Sequence, residues 1–512
     1  MKSSLLLLVP LAACTPASEA PGPAAPEAAG RQAVPVEPLV TQAVAGIEEE
    51  AGPVTGPPEP ETPSEPEGTL RDLVPAAATV WIECPSLELA RDIGERAEGS
   101  PLATACEDLL ERLELVGGRR RTVRQDQPSG LAIVHRGPDR AAQWCPVVPV
   151  QAPDQVLEGL RVAPGQQPPA AAGTWITLPG TPALARDAAW LTTLPEADVT
   201  ARLRLARLRA LGLDPMAVLQ DLCGPFGSAW LAFPGLTEEL DGAEQLDLLV
   251  DLGPDGLRVE LRFDGTSVSR VTPSSAKPPL QHLTTEHGLA LAGHLSGSED
   301  PLAACAASWV PAVGSALDET MHAPAGFACG VEGTPGAGHL VIGAAGDDLG
   351  AWCTGLAGAI EEAAAGAANP LAMTDPRTHA GSGGTFTQAD LVPRAGAQHE
   401  QAAELLTGTF GSLRARARLA ATPCALLFGL GEQPVGTGSA SHPGFADLSS
   451  VDACDAWLRL VLTRAHAEAA PPLLASGMAA VALEGVDATS VVLETSRTGA
   501  RRCVSVEWRV QG

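Results

Sequence analysis

Residues 245–265, QLDLLVDLGPDGLRVELRFDG, form the clearest predicted hairpin in the chain. Gly-Pro-Asp-Gly at 253–256 is the predicted turn, because these residue types favour the backbone angles of tight turns. A hairpin places its two strands side by side in opposite directions. The stretch therefore indicates a sheet that is at least partly antiparallel.

A predicted pattern of strand, polar turn and helix recurs along the rest of the chain. It is recognisable at 194–222, 287–310, 338–363 and 424–462. The chain then ends in predicted strands at 478–486, 489–497 and 501–510. We therefore predict an α+β fold with mostly antiparallel sheets and helices packed on one face, built from repeated strand–turn–helix units in two or more lobes.

The first fourteen residues have the order of a secretion signal. Lys2 is followed by a short apolar run and then by Ala12 and Ala13. The run is far shorter than the roughly 20 residues that span a bilayer as a helix. The segment from Leu11 to Cys14, Leu-Ala-Ala-Cys, resembles the lipobox of bacterial lipoproteins.

That resemblance implies a lipid anchor. In this family the cysteine sulfur receives a diacylglyceryl group, the chain is cut before the cysteine, and the new amine is acylated. Here the cut would fall between Ala13 and Cys14, and Cys14 would carry the lipid. Thr15, which stands where an aspartate would resemble an inner-membrane retention signal, favours the outer membrane.

The composition of residues 15–68 predicts a disordered tether. The segment contains twelve Pro, ten Glu, one Arg and no aromatic residue. Such a composition cannot bury enough apolar surface to offset the entropy lost on ordering. The predicted organisation has a signal peptide, a lipidated tether and three α+β segments, at 1–13, 14–68, 69–195, 196–380 and 381–512. The last of these could complete the sheets of the earlier ones.

Charge and lysine content exclude several functions. The formal net charge is −28, whereas nucleic-acid binding requires a concentrated basic surface. Lys277 is the only lysine after residue 14, so no GxxxxGK phosphate loop exists. Ser274 and Lys277 match an SxxK motif, but Pro273 and Pro278 flank it and disfavour the helix that this motif requires. We predict a loop there.

Ten cysteines remain after Cys14, and their even number in an exported protein suggests disulfides. The predicted pairs are Cys84 with Cys106, Cys329 with Cys353, and Cys424 with Cys454. The alternative is that several are buried free thiols. No CxxC motif occurs, so zinc ribbons and thioredoxin-like sites are not expected.

Histidine and tryptophan provide weaker signals. His282, His287 and His294 are the closest histidines, but their spacing suits neither one helix face nor one strand face. We expect no metal and no cofactor. Most Trp residues are predicted to lie in the core, with Trp81, Trp175, Trp230 and Trp508 in strand-like segments and Trp309, Trp352 and Trp457 on apolar helix faces.

A second resemblance concerns the body of the protein. LVPAAATVWIECPSLELARD at 73–92 and LPEADVTARLRLARLRAL at 194–211 resemble a phrase of uncharacterised bacterial envelope proteins that are grouped only as a domain of unknown function. It implies fold and location but supplies no catalytic residues. We predict a non-enzymatic envelope lipoprotein, bound to the membrane by its lipid and acting through protein or envelope contacts. The alternatives are a lipoprotein that binds a small molecule or lipid, and a hydrolase with a site assembled from distant residues.

Overall fold

The structure, a computed structural model, describes most of the chain from residue 68 onward. The described ranges are 68–86, 89, 123–124, 126–160, 162–185, 189–191, 193–253, 256–265, 278, 280–283, 287–295, 300–310, 325–332, 338–344, 371–381, 384–396, 399–410, 412–422, 425–430, 442–446, 454–469, 478–484 and 486–510. The predicted signal peptide and tether lie outside these ranges.

The chain divides into two compact units between Asp214 and Pro215. The strands of the first unit are β1 (Val80–Cys84), β2 (Ser129–Val134), β3 (Gln143–Pro149), β4 (Ala171–Ala172), β5 (Trp175–Thr177) and β6 (Val199–Leu203). Backbone pairing gives the order β4-β5-β3-β2-β1-β6, and each of these pairings is antiparallel. β6 pairs with β1 through Val80–Glu83 and residues 200–203. The predicted segment bounds 69–195, 196–380 and 381–512 stay predictions.

The core of the first unit lies around Trp81, which is fully buried on β1 as predicted. Leu73, Ala132 and Val147 pack in the same cluster. The indole Nε1 donates to a carboxylate oxygen of Glu83 at 3.2 Å, so the one polar atom of the ring is satisfied.

The second unit contains a longer series of strands. They are β7 (Leu246–Gly253), β8 (Gly256–Asp264), β9 (His287–Leu295), β10 (Ala325–Glu332), β11 (Gly338–Ala344), β12 (Leu371–Gly381), β13 (Gly384–Pro393), β14 (Ala415–Thr422), β15 (Ala425–Leu430), β16 (Ala456–Thr463), β17 (Ser490–Thr498) and β18 (Arg501–Arg509). Their antiparallel pairings give the order β7-β8-β18-β17-β16-β9-β10-β11-β15-β14-β13-β12. The predicted hairpin is confirmed, since Gly253 pairs with Gly256 across its turn.

The described helices are short, and they contribute fewer residues than the strands do. The α-helices are α1 (Pro153–Gly159), α2 (Leu205–Ala210), α3 (Pro215–Cys223), α4 (Leu236–Gly242), α5 (Pro301–Trp309), α6 (His399–Phe410) and α7 (Arg464–Ala469). Short 3-10 helices lie at Leu70–Leu73, Ala189–Leu191, Gly224–Ala232, Leu280–His282, Pro443–Phe445 and Met478–Leu483. The prediction of mixed α and β structure with antiparallel pairing is therefore confirmed.

A buried ion pair ties α5 to one face of the sheet. Arg497 on β17 lies 3.1 Å from Asp300, and both side chains are almost completely shielded from solvent. Asp300 also caps α5, because its carboxylate accepts the backbone N–H of Leu302 at 3.0 Å. Next to this pair, Arg502 on β18 lies 3.7 Å from Glu239 of α4. Two helices are thus fixed to the β17–β18 hairpin by charge.

Two predicted elements near the C-terminus are wrong. Residues 456–463, predicted as a helix, form β16, and residues 478–483, predicted as a strand, form a 3-10 helix. Both faces of β16 are mostly buried, so its apolar residues run almost continuously and lack the period of either element. Three of the six residues at 478–483 are alanine, which has little preference for strands.

Two tryptophans lie in elements of a different type from those predicted. Trp457 lies on β16 rather than on a helix, and Trp230 lies in the 3-10 helix Gly224–Ala232 rather than in a strand. Trp309 and Trp508 have the predicted element types, on α5 and β18. All four are buried, as predicted.

Trp175 of β5 and Trp190 are only half-buried, and Trp144 of β3 is 40 % exposed. Residue type alone therefore predicted the burial of tryptophan only in part. Trp352 lies outside the described residues.

Substitution of Gly130 tests the packing of Trp81. A Cβ atom at residue 130 would lie 2.2 Å from the Trp81 ring. We expect Gly130→Ala to lower the free energy of unfolding by about 1–3 kcal/mol, because the core must shift to admit the methyl group. Denaturant titration followed by tryptophan fluorescence measures this. Gly159→Ala in α1 is the control, since no atom lies within 4 Å of its new Cβ; an equal loss in both variants would contradict the packing argument.

Asp300→Ala tests the buried ion pair. It leaves the Arg497 guanidinium buried without its carboxylate, so we expect a loss of about 3–5 kcal/mol in unfolding free energy. The matched control is Asp264→Ala, which removes an exposed pair with Arg501 at 3.9 Å and should cost less than about 1 kcal/mol. Thermal and denaturant unfolding of both variants provides the comparison. Similar stabilities of the two variants would refute the assigned role of Asp300.

Candidate functional site

A cluster of aromatic and histidine side chains lies where β16 pairs with β9. Register places Trp457 opposite His294 and Val461 opposite Ala290. Alternate residues of a strand face the same side of a sheet, so Trp457, Arg459 and Val461 share one face. This is the face opposite to the one that α5 contacts through Arg497.

A short turn at residues 442–446 covers this face. It contains the 3-10 helix Pro443–Phe445, and Phe445 packs with Trp457 and Val461 in a buried apolar cluster. The Phe445 and Trp457 rings meet edge to face with centroids 6.4 Å apart. His442 meets Phe445 in the same manner at 5.6 Å, and His294 stacks on Trp457 at 6.4 Å. These four rings are the aromatic cluster.

The side chains on the part of the sheet beneath Phe445 are small. Ala290 and Ala292 of β9 and Ala328 of β10 are fully buried members of the same apolar cluster. Larger residues at these positions would occupy the space that the Phe445 ring fills. The Phe445 side chain of the turn therefore packs in one apolar cluster with small residues of the sheet.

Glu494 of β17 links the aromatic cluster to charged groups. It accepts the indole N–H of Trp457 at 2.8 Å and a guanidinium N–H of Arg459 at 2.7 Å. A second N–H of Arg459 donates to the carbonyl oxygen of Gly444 at 3.0 Å. The guanidinium also lies 5.7 Å from the Trp457 ring centroid, within cation–π range. Arg459 thus ties the sheet to the turn.

His442 caps the turn in a way that requires its neutral form. The backbone N–H of Gly444 donates to Nδ1 of His442 at 3.1 Å, so Nδ1 must carry a lone pair. The proton then resides on Nε2, which lies 3.4 Å from the carbonyl oxygen of His287. Burial lowers the pKa of His442, the bond to His287 raises it, and the nearby charge of Arg509 lowers it; the net direction is downward.

His466 of α7 is buried beside the N-terminal end of β9, where His287 lies. Its ring lies against Gly288, where a Cβ atom would be 3.1 Å from Nδ1. Neither ring nitrogen has a hydrogen-bond partner within the part of the chain that the structure describes. Burial lowers the pKa of His466. We call His287, His442 and His466 the histidine corner.

The chemistry that this arrangement supports is proton uptake. Burial lowers the pKa of both His442 and His466. Protonation of Nδ1 of His442 would remove the acceptor on which the cap depends. Glu494 already accepts bonds from Trp457 and Arg459 through its two oxygens. No group of three His, Cys, Asp or Glu side chains within the described ranges is placed to share a metal ion.

The sequence-predicted site residues lie elsewhere. Ala13, Cys14, Cys106, Cys353 and Cys424 are outside the described residues, as are Ser274 and Lys277 of the SxxK motif. Cys84 ends β1 and is buried, Cys329 is buried in β10, and Cys454 is half-buried just before β16. One member of each predicted disulfide is thus not described, and the three pairings stay predictions.

Sequence reasoning considered the histidines but not their association. His287 begins β9 and His294 is its penultimate residue, where its ring stacks on Trp457. His442 follows His287 by 155 residues, so local spacing contains no signal for their contact. The contact of His294 with Trp457 could have been found only by predicting that β9 pairs with β16.

Comparison with known proteins provides no further assignment. No family model, curated protein or solved structure that was compared with the chain matches it. In the described part of the chain, none of the helices has the length and apolar character needed to cross a membrane.

Glu494→Gln tests the link between sheet and turn. The amide cannot accept from both Trp457 and Arg459, so we expect a loss of about 1.5–3 kcal/mol in unfolding free energy. The control is Glu507→Gln, which breaks a half-exposed bond to Arg509 at 2.6 Å and should cost at most about 1 kcal/mol. Chemical denaturation measures both. If the Glu494 variant were as stable as the native chain, the carboxylate would not hold the cluster together.

Proposed function

We propose that this chain is a lipid-anchored protein of the bacterial cell envelope and that Cys14 is its anchor. The observation that carries the proposal is the order of the N-terminal residues, in which a positive residue and a short apolar run lead to Leu-Ala-Ala-Cys. The outer membrane is the preferred location. Each buried methylene contributes about 0.8 kcal/mol to membrane binding, and more than one chain is needed for stable attachment.

The segment after Cys14 fits the role of a tether. Its proline and glutamate content favours an extended, solvated chain. At about 3.1 Å per residue an extended proline-rich segment of this length would reach roughly 170 Å, and as a coil about 40 Å. Either length would hold the body clear of the lipid headgroups.

We propose that the body is not an enzyme and acts through contacts with an envelope protein or with the envelope itself. Supporting this, the polar groups at the best-formed cluster of the described body are engaged in structural bonds. His442 caps a turn, and Glu494 joins Trp457 to Arg459. The prediction that the body consists of repeated strand–turn–helix lobes, with helices on one face, belongs to this proposal.

A ligand-binding role is the second candidate. The observation that favours it is the apolar cluster of Phe445 with the small side chains of Ala290, Ala292 and Ala328, here called the alanine floor. A small apolar molecule or an acyl chain is the chemistry that such a floor would accept. Native mass spectrometry of the purified protein would detect a retained ligand as an additional, non-covalent mass.

Substitution of Cys14 tests the anchor. In a host with lipoprotein processing, we expect the mature chain to begin at Cys14, to carry a diacylglyceryl thioether and an amide-linked acyl group, and to sediment with membranes. Cys14→Ala should lose the lipid mass and leave the membrane fraction. Cys503→Ala, which changes a half-buried thiol of β18, should keep both. An unmodified N-terminus other than residue 14, found in the soluble fraction, would overturn the proposal.

A further inference from the structure

We propose that the 442–446 turn is an acid-opened cover: the neutral His442 ring holds it closed, and protonation of His442 and His466 releases Phe445 from the sheet. The inference rests on the geometry of the turn and does not depend on the lipid anchor. It concerns a conformational response of the body, beyond the contacts proposed above.

The His442 cap is the contact that protonation would break. Nδ1 of His442 accepts the Gly444 N–H at 3.1 Å. A protonated Nδ1 would present a hydrogen to that N–H, and two donors repel. His442 is only 5 % exposed, so water cannot replace the lost bond while the turn stays closed. Protonation and closure of the turn therefore oppose each other.

Charged groups lie around His442. Arg459 of β16 donates to Gly444 in the middle of the turn, and Arg509 at the end of β18 also acts on His442. The charge of Arg459 is offset by Glu494, and that of Arg509 by Glu507. On β9, His287 contributes its carbonyl oxygen. Among these described groups, no carboxylate bonds directly to the His442 ring, so an imidazolium there would have no close counter-ion.

The neighbouring histidine of this corner is His466. Its ring is 3 % exposed and contacts Gly288, the residue that follows His287. On its own helix, Arg464 and Glu468 pair with each other at 3.9 Å, and Arg464 also donates to carbonyl oxygens at 483–488. A second proton taken up at this corner would again be a buried charge without a described partner. Both rings thus favour the open state in acid.

The direction of the pH dependence follows from these contacts. A histidine whose pKa is lowered in the closed state binds protons more tightly once exposed, where its pKa is about 6.5. The closed state is therefore favoured fully above pH 6.5 or so, and that preference is lost as the pH falls below this value. Opening would expose Phe445, Trp457 and the alanine floor.

Hydrogen exchange measured by mass spectrometry tests the proposal. Between about pH 5 and pH 8, after correction for intrinsic exchange, opening of the Gly444 and Phe445 amides should increase below about pH 6.5, by up to about tenfold per pH unit for each histidine that takes up a proton and so by up to about a hundredfold for both. Peptides from β17 and β18 should stay protected. Simultaneous loss of protection in β17, β18 and the turn would mean that the whole unit unfolds. That result would contradict the proposal that the turn opens locally.

Substitutions of His442 and His466 separate the effect of protonating these two rings from other effects of acid on exchange. His442→Asn keeps an acceptor for the Gly444 N–H but does not titrate, so its exchange should depend much less on pH. His466→Leu should reduce the remaining dependence. His399→Gln changes an exposed histidine of α6 and should behave like the native chain. A native pH slope in the His442→Asn variant would refute the proposal. If that variant failed to fold, NMR titration of His442 in the native chain would decide, since a pKa above 6.5 would contradict it.

Discussion

Pairing of β16 with β9 is the interaction on which the second unit depends. It joins β9, β10 and β11 to the series β17, β18, β8 and β7. It also places Trp457 beside His294, and the backbone carbonyl of Cys454 accepts a bond at His294 Nε2 although 160 residues separate the two. Without this pairing neither the aromatic cluster nor the seat of the 442–446 turn would exist.

The two faces of the sheet hold their charged groups in different ways. On the face that contacts α5, the pair Arg497 with Asp300 is buried, so each charge is stabilised mainly by the other and by the helix cap. On the opposite face, Glu494 is partly accessible and shares its charge between Arg459 and the Trp457 indole. The first arrangement fixes a helix permanently, whereas the second attaches a short turn by a few bonds.

An attachment of this second kind is suited to conditional opening. The turn has one aromatic anchor, Phe445, one guanidinium bond from Arg459 and one imidazole cap from His442. Only the cap changes its hydrogen-bonding capacity near neutral pH. A protein held outside the cytoplasm by a lipid at Cys14 would meet the pH of its surroundings directly, so the proposed anchor and the proposed cover are compatible without depending on each other.

The sequence by itself determined the β7–β8 hairpin, and the proposed lipid anchor also rests on the sequence alone. Turn residues at 253–256 and polar–apolar alternation were sufficient for β7 and β8, because a hairpin is specified by neighbours in sequence. The lipobox resemblance at Cys14 is likewise local. Only the tertiary structure decided that 456–463 is a strand, because its apolar residues are buried on both faces by distant segments. It also decided that His442 meets His287, since a contact between such remote residues depends on strand pairing that no local pattern encodes.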